Sequence, residues 1–339
     1  MVKKSIPIPE PAPNQALVKV SHVAQNPTDI QSLDSNAFGA DAVLGCDFVG
    51  TVEKPGDQCN KLAKGDTVAG LIWGGRSADT TEAQRLSDRL IGEVKGLGSY
   101  SEYSLADDNI SFRVPKNISL EEAVTLPLAS MTAWLALFSK SSLNIPRDSG
   151  SDISVLIWGG SSSVGLYAIQ IAAINGFNVI TTCSPRHFDL VKSLGAKHVF
   201  NYRDDHVVDC IKQATSGLKG NTSSAQASKA INESGGSLCT VRPGKANTED
   251  VTKQTKVTDV LVWTAFLKDH QYGTFKWPAN ESDHQLGTEF FEKLPSWVAE
   301  GKLKPNTPQI IPKGLDGVEK GFQLYRDGVI SGTKLVYQL

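Results

Sequence analysis

Ile153-Ser154-Val155-Leu156-Ile157-Trp158 runs straight into Gly159-Gly160-Ser161-Ser162-Ser163-Val164-Gly165, and this junction decides the fold. The first six residues are rich in large apolar and β-branched side chains, the composition of a strand buried on both faces. Leu166 to Ile174 has helical composition, and Asn175-Gly176 stops it. Asn178-Val179-Ile180-Thr181-Thr182-Cys183 is a second strand, so the unit reads βαβ. Glycines at such a turn let the backbone approach a pyrophosphate, which the helix N-terminal amides then bind. Ser161 stands where G-x-G-x-x-G has its second glycine, and plain strand-to-helix packing is the competing reading of the turn.

The end of the second strand sharpens the assignment. A site for an unphosphorylated dinucleotide places Asp or Glu there to hold the ribose 2′-hydroxyl. This chain reads Ser184-Pro185-Arg186-His187, with no carboxylate, and Ser184 and Arg186 suit a 2′-phosphate. Lys192 and Tyr202 are further candidates for that end, and the expected cofactor is NADPH. A solvated loop with an ordinary arginine is the plainer alternative.

Outward from this unit, the chain is an ordinary α/β sequence. Its 339 residues, 40% hydrophobic and 21% charged with 30 glycines, suffice for two domains and a sizeable core. The net charge of −2 gives no bias toward nucleic acid or a membrane surface. Five scattered cysteines form neither a disulfide framework nor a C-x-x-C site, so a reducing compartment is expected. With no long apolar run and no signal-peptide core, the expected location is cytoplasmic.

Pro7, Pro9, Pro11 and Pro13 give an extended opening without a first strand. Ala16 to Val20 is a strand, Asn26-Pro27-Thr28-Asp29 a polar turn, and Val43 to Glu53 an apolar run punctuated by glycines, as in a tightly curved β-barrel. Lys64 to Gly70 and Gly98 to Tyr103 continue that pattern. Ser119 caps a short helix, and Leu126 to Phe138 is an apolar one. Asp204 to Thr215 and Thr222 to Glu233 both read as helices, with no room between them for the strand a doubly wound sheet requires. A strand with its turns needs about ten residues, so one strand is expected to be missing near 220–221. The segment 76–95 reads as an insertion. These departures suggest a divergent or mis-spliced chain.

Asn-Pro-Thr-Asp, Gly-Cys-Asp-Phe-Val-Gly, Lys-Gly-Asp-Thr-Val and Gly-Ser-Tyr-Ser-Glu-Tyr, in this order before a dinucleotide βαβ unit, resemble the medium-chain dehydrogenase/reductase superfamily. Cys183 to Ser193 and Ile330 to Val336 are similar to the zinc-independent, trans-acting enoyl reductases of fungal polyketide synthases. The resemblance implies a GroES-like β-barrel catalytic domain (1–135 and 296–339) and a doubly wound Rossmann NADP-binding domain (136–295). It implies NADPH-dependent reduction of a C=C bond in an α,β-unsaturated thioester, with a polyketide synthase as partner and a monomer favoured over a dimer. Asn26 and Thr28 are the implied catalytic residues. The implied cofactor residues are Asn26, Pro27, Thr28, Asp29, Gly160, Ser161, Ser162, Ser163, Val164, Ser184, Pro185, Arg186, His187, Tyr202, Val241, Arg242, Ile330 and Ser331. Pro127, Ser130, Met131, Thr132, Trp134, Thr264, Ala265 and Phe266 are substrate-wall candidates, with interdomain core as the alternative for the helical ones. Asn26 and Gly45-Cys46-Asp47 stand where zinc-dependent relatives carry metal ligands, so no metal is expected. A quinone or alkene reductase, or a non-catalytic binding module, are the alternative functions.

Overall fold

The computed structural model describes residues 1–38, 42–73, 98–215, 219–221, 224–231, 235–242, 244–245, 247–272 and 275–339. The expected insertion at 76–95 lies outside the described residues. The chain enters without regular structure, as its prolines dictate, and its first strand is β1 (Gln15–Ala24). β2 (Asp47–Pro55), β3 (Thr67–Leu71), β4 (Tyr103–Asp107) and β5 (Ser111–Arg113) follow.

β1 is ten residues long and shifts register against β2 at Leu17/Val18 and Val20/His22. Such irregularities bend a strand. One edge of β1 therefore takes β4 beside Gln15–Lys19 and β15 (Thr333–Gln338) beside His22–Ala24. β14 (Thr307–Ile310) runs parallel to β15. The order is β14-β15-β1-β2-β3-β5, with β4 branching from β1. The GroES-like sheet is thus strongly bent but, among the described residues, does not close into the expected barrel.

The cofactor half contains β6 (Ser154–Trp158), β7 (Asn178–Cys183), β8 (His198–Asn201) and β9 (Lys219–Asn221), all parallel in the order β8-β7-β6-β9. β10 (Gly236–Thr240) lies beside β9 and pairs in parallel with β11 (Thr255–Asp259). This is the doubly wound order 3-2-1-4-5-6. The strand expected to be missing is therefore present. β9 aligns Lys219 with Val155 and Asn221 with Ile157. It escaped the sequence because Lys-Gly-Asn has no apolar or β-branched residue and only three positions.

β12 (His270–Tyr272) and β13 (Phe275–Trp277) pair as an antiparallel hairpin. It leads into the helix Glu281–Ala299, whose Asn280 cap accepts from the Asp283 amide at 3.1 Å. The helix Pro127–Phe138 is buried at all twelve positions and packs between the helices Ser163–Ile174 and Glu281–Ala299. One hydrophobic core runs through it from Val49, Leu71 and Phe112 of the sheet half to Leu166 and Ile169 of the cofactor half. The expected boundaries at 135/136 and 295/296 fall inside these two helices.

Candidate active site

β6 ends in a turn that only glycine permits. Gly159 sits at φ +82°, in the left-handed region. The amides of Gly159 and Gly160 both donate to the Thr182 carbonyl, at 3.1 and 2.8 Å. A Cβ on Gly160 would lie 2.0 Å from Thr181 Oγ1, and one on Gly165 2.4 Å from the Gly159 carbonyl oxygen. Ser162 caps the following helix, its hydroxyl accepting from the Gly165 amide at 3.1 Å. A helix leaves its first-turn amides without internal partners, and Ser161, Ser163 and Val164 beside them are half-exposed. Backbone this tight, at the N-terminus of a twelve-residue helix, fits a dinucleotide pyrophosphate.

Beyond β7, Pro185–His187 forms a short 3-10 turn preceded by Ser184. Arg186 is exposed, and its Nε donates to His187 Nε2 at 3.2 Å. His187 Nε2 also lies 2.8 Å from Ser331 Oγ, on the segment leading into β15. Four expected cofactor residues, Ser184, Arg186, His187 and Ser331, are thereby gathered, with Ile330 adjoining. Burial, then the Arg186 charge, hold the His187 imidazole below its ordinary pKa. Tyr202, half-buried, instead lines a surface groove of about 670 Å³ beside the helices Val207–Thr215 and Ser224–Lys229. Val241 and Arg242 are exposed just past the C-terminal end of β10. No described hydrogen bond ties these three to the turn or the tip.

Asn26-Pro27-Thr28-Asp29, expected as a turn, is the first turn of the helix Pro27–Asp34, with Asn26 as its cap and Pro27 suited to the opening position. This turn is built around a buried charge cluster that the sequence did not reveal. Lys334, 2% exposed, places Nζ 2.7 Å from Asp47 Oδ2 and 2.8 Å from Asn26 Oδ1. Asn26 Nδ2 donates to Asp47 Oδ2 at 2.9 Å, and the Leu128 amide donates to Asp47 Oδ1 at 2.7 Å. Pro127, at the first turn of its helix, sets that amide in place. Asp29 accepts from the Asn26 amide at 2.8 Å, Tyr100 OH at 3.0 Å and Cys46 Sγ at 3.3 Å. Burial pushes Asp29 up to about 6, against the pull of these hydrogen bonds. Thr28 is half-buried beside the cluster and Pro27 is exposed. Asn26 thus spends its amide inside the protein, and of this turn Thr28 and Pro27 are left to face a ligand. Among the described residues no three His, Cys, Asp or Glu side chains converge as a metal site.

The helical wall candidates sit in the interior. Ser130 and Thr132 return their hydroxyls to the Leu126 and Leu128 carbonyls, both at 2.7 Å. Met131 is wholly buried, and Trp134 packs on Phe138, Phe290 and Trp297 while its indole N–H donates to the Leu286 carbonyl at 2.9 Å. The core alternative describes these positions. Thr264, Ala265 and Phe266 lie at a different place, where the halves meet. Thr264 donates to Asp283 at 2.6 Å, and Ala265 and Phe266 are buried. Trp73, just past β3, meets Trp263 with ring centroids 4.4 Å apart and His270 at 5.5 Å. Phe266 also borders His270.

His270 is 4% exposed, and its Nε2 has no hydrogen-bond partner among the described residues. A lone histidine opening a hairpin gave the sequence no signal. Burial, then Lys268, lowers its pKa from 6.5 to about 3. An imidazole with a lowered folded pKa takes its proton first in the unfolded chain, so stability is lost as pH falls below 6.5 toward 3. His270→Leu should therefore gain on wild type by about 2 kcal/mol between pH 7 and pH 5. Paired urea titrations at the two pH values check this, and an unchanged difference between the proteins would refute a buried neutral imidazole.

A GroES-like sheet half joined to a doubly wound half, with a glycine turn at the switch point of the sheet, defines a two-domain, dinucleotide-binding oxidoreductase. Residues 12–116 match the alcohol dehydrogenase GroES-like domain, and residues 163–235 match the zinc-binding dehydrogenase family. The chain is 31% identical over 349 residues to the trans-enoyl reductase ACTTS2 of Alternaria alternata, covering 99% of this chain and 95% of that protein. A putative zinc-dependent alcohol dehydrogenase from Rhizobium etli CFN 42 superposes with a TM-score of 0.74 at 24% identity, covering 98% of this chain and 92% of that one. The CurK enoyl reductase superposes at 0.68 with 20% identity, covering 100% and 93%. The chain belongs to the medium-chain dehydrogenase/reductase superfamily. No described helix is long and apolar enough to cross a membrane.

Proposed function

We propose that this protein is an NADPH-dependent, zinc-independent enoyl reductase that reduces the C=C bond of an α,β-unsaturated polyketide thioester, acting in trans on a polyketide synthase in the cytoplasm as a monomer. The observation that carries the reading is the fate of the donors at Asn26, Cys46 and Asp47. Each is spent within the protein, and a buried ammonium already lies against Asp47. A second cation there would meet Lys334 at close range, so the donor set does not fit zinc. Alcohol oxidation in a metal-dependent relative needs a Lewis acid on the alkoxide. An enoyl thioester needs none, because its carbonyl already makes the β-carbon electrophilic.

NADPH, when bound, supplies the hydride for the β-carbon. Residues 136–295 would hold it, with the Gly160–Val164 backbone on the pyrophosphate and Ser184, Arg186 and His187 at the ribose phosphate. Residues 1–135 and 296–339 would form the catalytic half. The Thr28 hydroxyl and backbone amides would donate to the thioester oxygen as it gains negative charge, and water would return a proton to the α-carbon. Asn26 would act by holding the 26–29 turn in place. Thr264, Ala265 and Phe266 would border the acyl chain. With β9 in the sheet, a non-catalytic reading loses its main support.

The test is a fluorescence titration with NADPH and NADH, followed by turnover of a 2-enoyl pantetheine thioester against a quinone. Tighter binding of NADPH and a higher kcat/KM for the thioester are expected. A preference for quinone would replace the substrate assignment, and failure to bind either dinucleotide would overturn the reading.

A further inference from the structure

We infer that His187 is a proton-linked reader of the cofactor's 2′-phosphate: its imidazole takes up a proton when a 2′-phosphorylated dinucleotide binds and does not when the unphosphorylated one binds. The inference rests on the dinucleotide-binding reading above and goes beyond it.

The geometry fixes the starting state. An arginine Nε can only donate, so at 3.2 Å from Arg186 Nε the His187 Nε2 is an acceptor and the ring is neutral. Ser331 Oγ lies 2.8 Å from the same nitrogen. The ring rests against Gly332, where φ is +70° and a Cβ would come within 2.8 Å of His187 Cε1. The absence of a side chain there leaves the imidazole its place between the β7 tip and the lead into β15. Among the described residues, the charge acting on the ring is that of Arg186, on its own turn. From the opposite segment it faces the Ser331 hydroxyl and the Gly332 backbone, both uncharged. Lys334, further along, is buried and committed to Asp47 and Asn26.

A 2′-phosphate reverses this balance. Its dianion at the Ser184–Arg186 tip would draw the exposed guanidinium into a charge-assisted pair and release the lone pair of His187 Nε2. A dianion bound at this tip would be an opposite charge beside the ring, and such a neighbour raises a pKa by about 1–3 units. The imidazole then takes a proton from solvent and donates it back as a hydrogen bond. Without the phosphate, Arg186 keeps Nε2 occupied and the ring, its pKa held below 6.5, stays neutral at pH 7.5.

Calorimetric titrations of the full chain at pH 7.5, in two buffers of different ionisation enthalpy, read the proton count directly. At that pH a phosphate monoester, with its second pKa near 6, is already a dianion and releases little of its own. NADPH is expected to take up a fraction of a proton per site, at most about one, and NADH none. The NADPH Kd should weaken by up to about tenfold per pH unit between pH 7 and 8.5. In His187→Gln, with wild-type circular dichroism, both the uptake and the pH slope should vanish while NADPH still binds. Wild-type binding of NADPH with buffer-independent heat overturns the inference and leaves the cofactor reading standing. Uptake that persists in His187→Gln likewise overturns it. If neither dinucleotide binds, the inference falls together with the reading beneath it.

Discussion

Lys334→Met is expected to lower the unfolding free energy by about 3–5 kcal/mol, the range for removing one partner of a buried ion pair. Lys334 is 2% exposed and Asp47 fully buried, and their 2.7 Å contact joins β15 to the start of β2. Asp47 would keep its bonds from the Leu128 amide and Asn26 Nδ2, but with no cation beside it. Methionine matches the lysine stem in length and fills its channel, so the loss reports charge rather than volume. Lys334→Met combined with Asp47→Asn should recover at least half of it, since an asparagine oxygen still accepts from Leu128 and no bare charge remains. Chemical denaturation of the single and double variants measures the coupling directly. A single-variant loss below about 1 kcal/mol would mean that water or rearrangement relieves Asp47, and the cluster would not be what holds the Asn26 turn.

The cluster also marks where the sequence stops being legible. The cofactor turn could be read because its signal is local: an apolar strand, glycines at the bend and a helix within twenty residues. The bent sheet followed for the same reason, although the split partners of β1 arise from register shifts that alternation does not encode. Lys334 and Asp47 lie 287 residues apart, and neither has a local pattern that points to the other. The sequence points to Asn26 as a ligand-facing residue, yet its amide bonds inward to Asp47 and Lys334. The helix Pro127–Phe138 shows a different limit. It is apolar on every side, so periodicity does not separate a residue facing a cleft from one facing core. Only the rings packed against Trp134, Phe138 edge-on and Phe290 stacked, decide that position. β9 was missed because three polar or flexible residues carry no strand signature, and partners already waiting in β6 make the strand.

Gly165→Ala is expected to weaken dinucleotide binding by about 100-fold, the order of loss that a 1 Å misplacement in a preorganised site produces. Helix propensity alone favours alanine at this position by about 1 kcal/mol. The contacts oppose it. The new Cβ would fall 2.4 Å from the Gly159 carbonyl oxygen and 2.9 Å from Gly160 Cα, both backbone atoms of the turn that must cradle the pyrophosphate. No rotamer change relieves a backbone clash, so the helix must move away from the strand end, straining the bond from the Gly165 amide to Ser162 and the one from the Ser162 amide to Gly159. Gly176→Ala is the control. Gly176 has φ +78°, but its Cβ would meet nothing closer than 3.6 Å, so the variant should lose about 1–2 kcal/mol of stability and bind the cofactor normally. Binding titrations and thermal melts of both variants separate local strain from damage to the site. If Gly165→Ala bound NADPH as tightly as wild type and melted higher, propensity would have won, and close packing of helix on turn could not be what shapes the cofactor site.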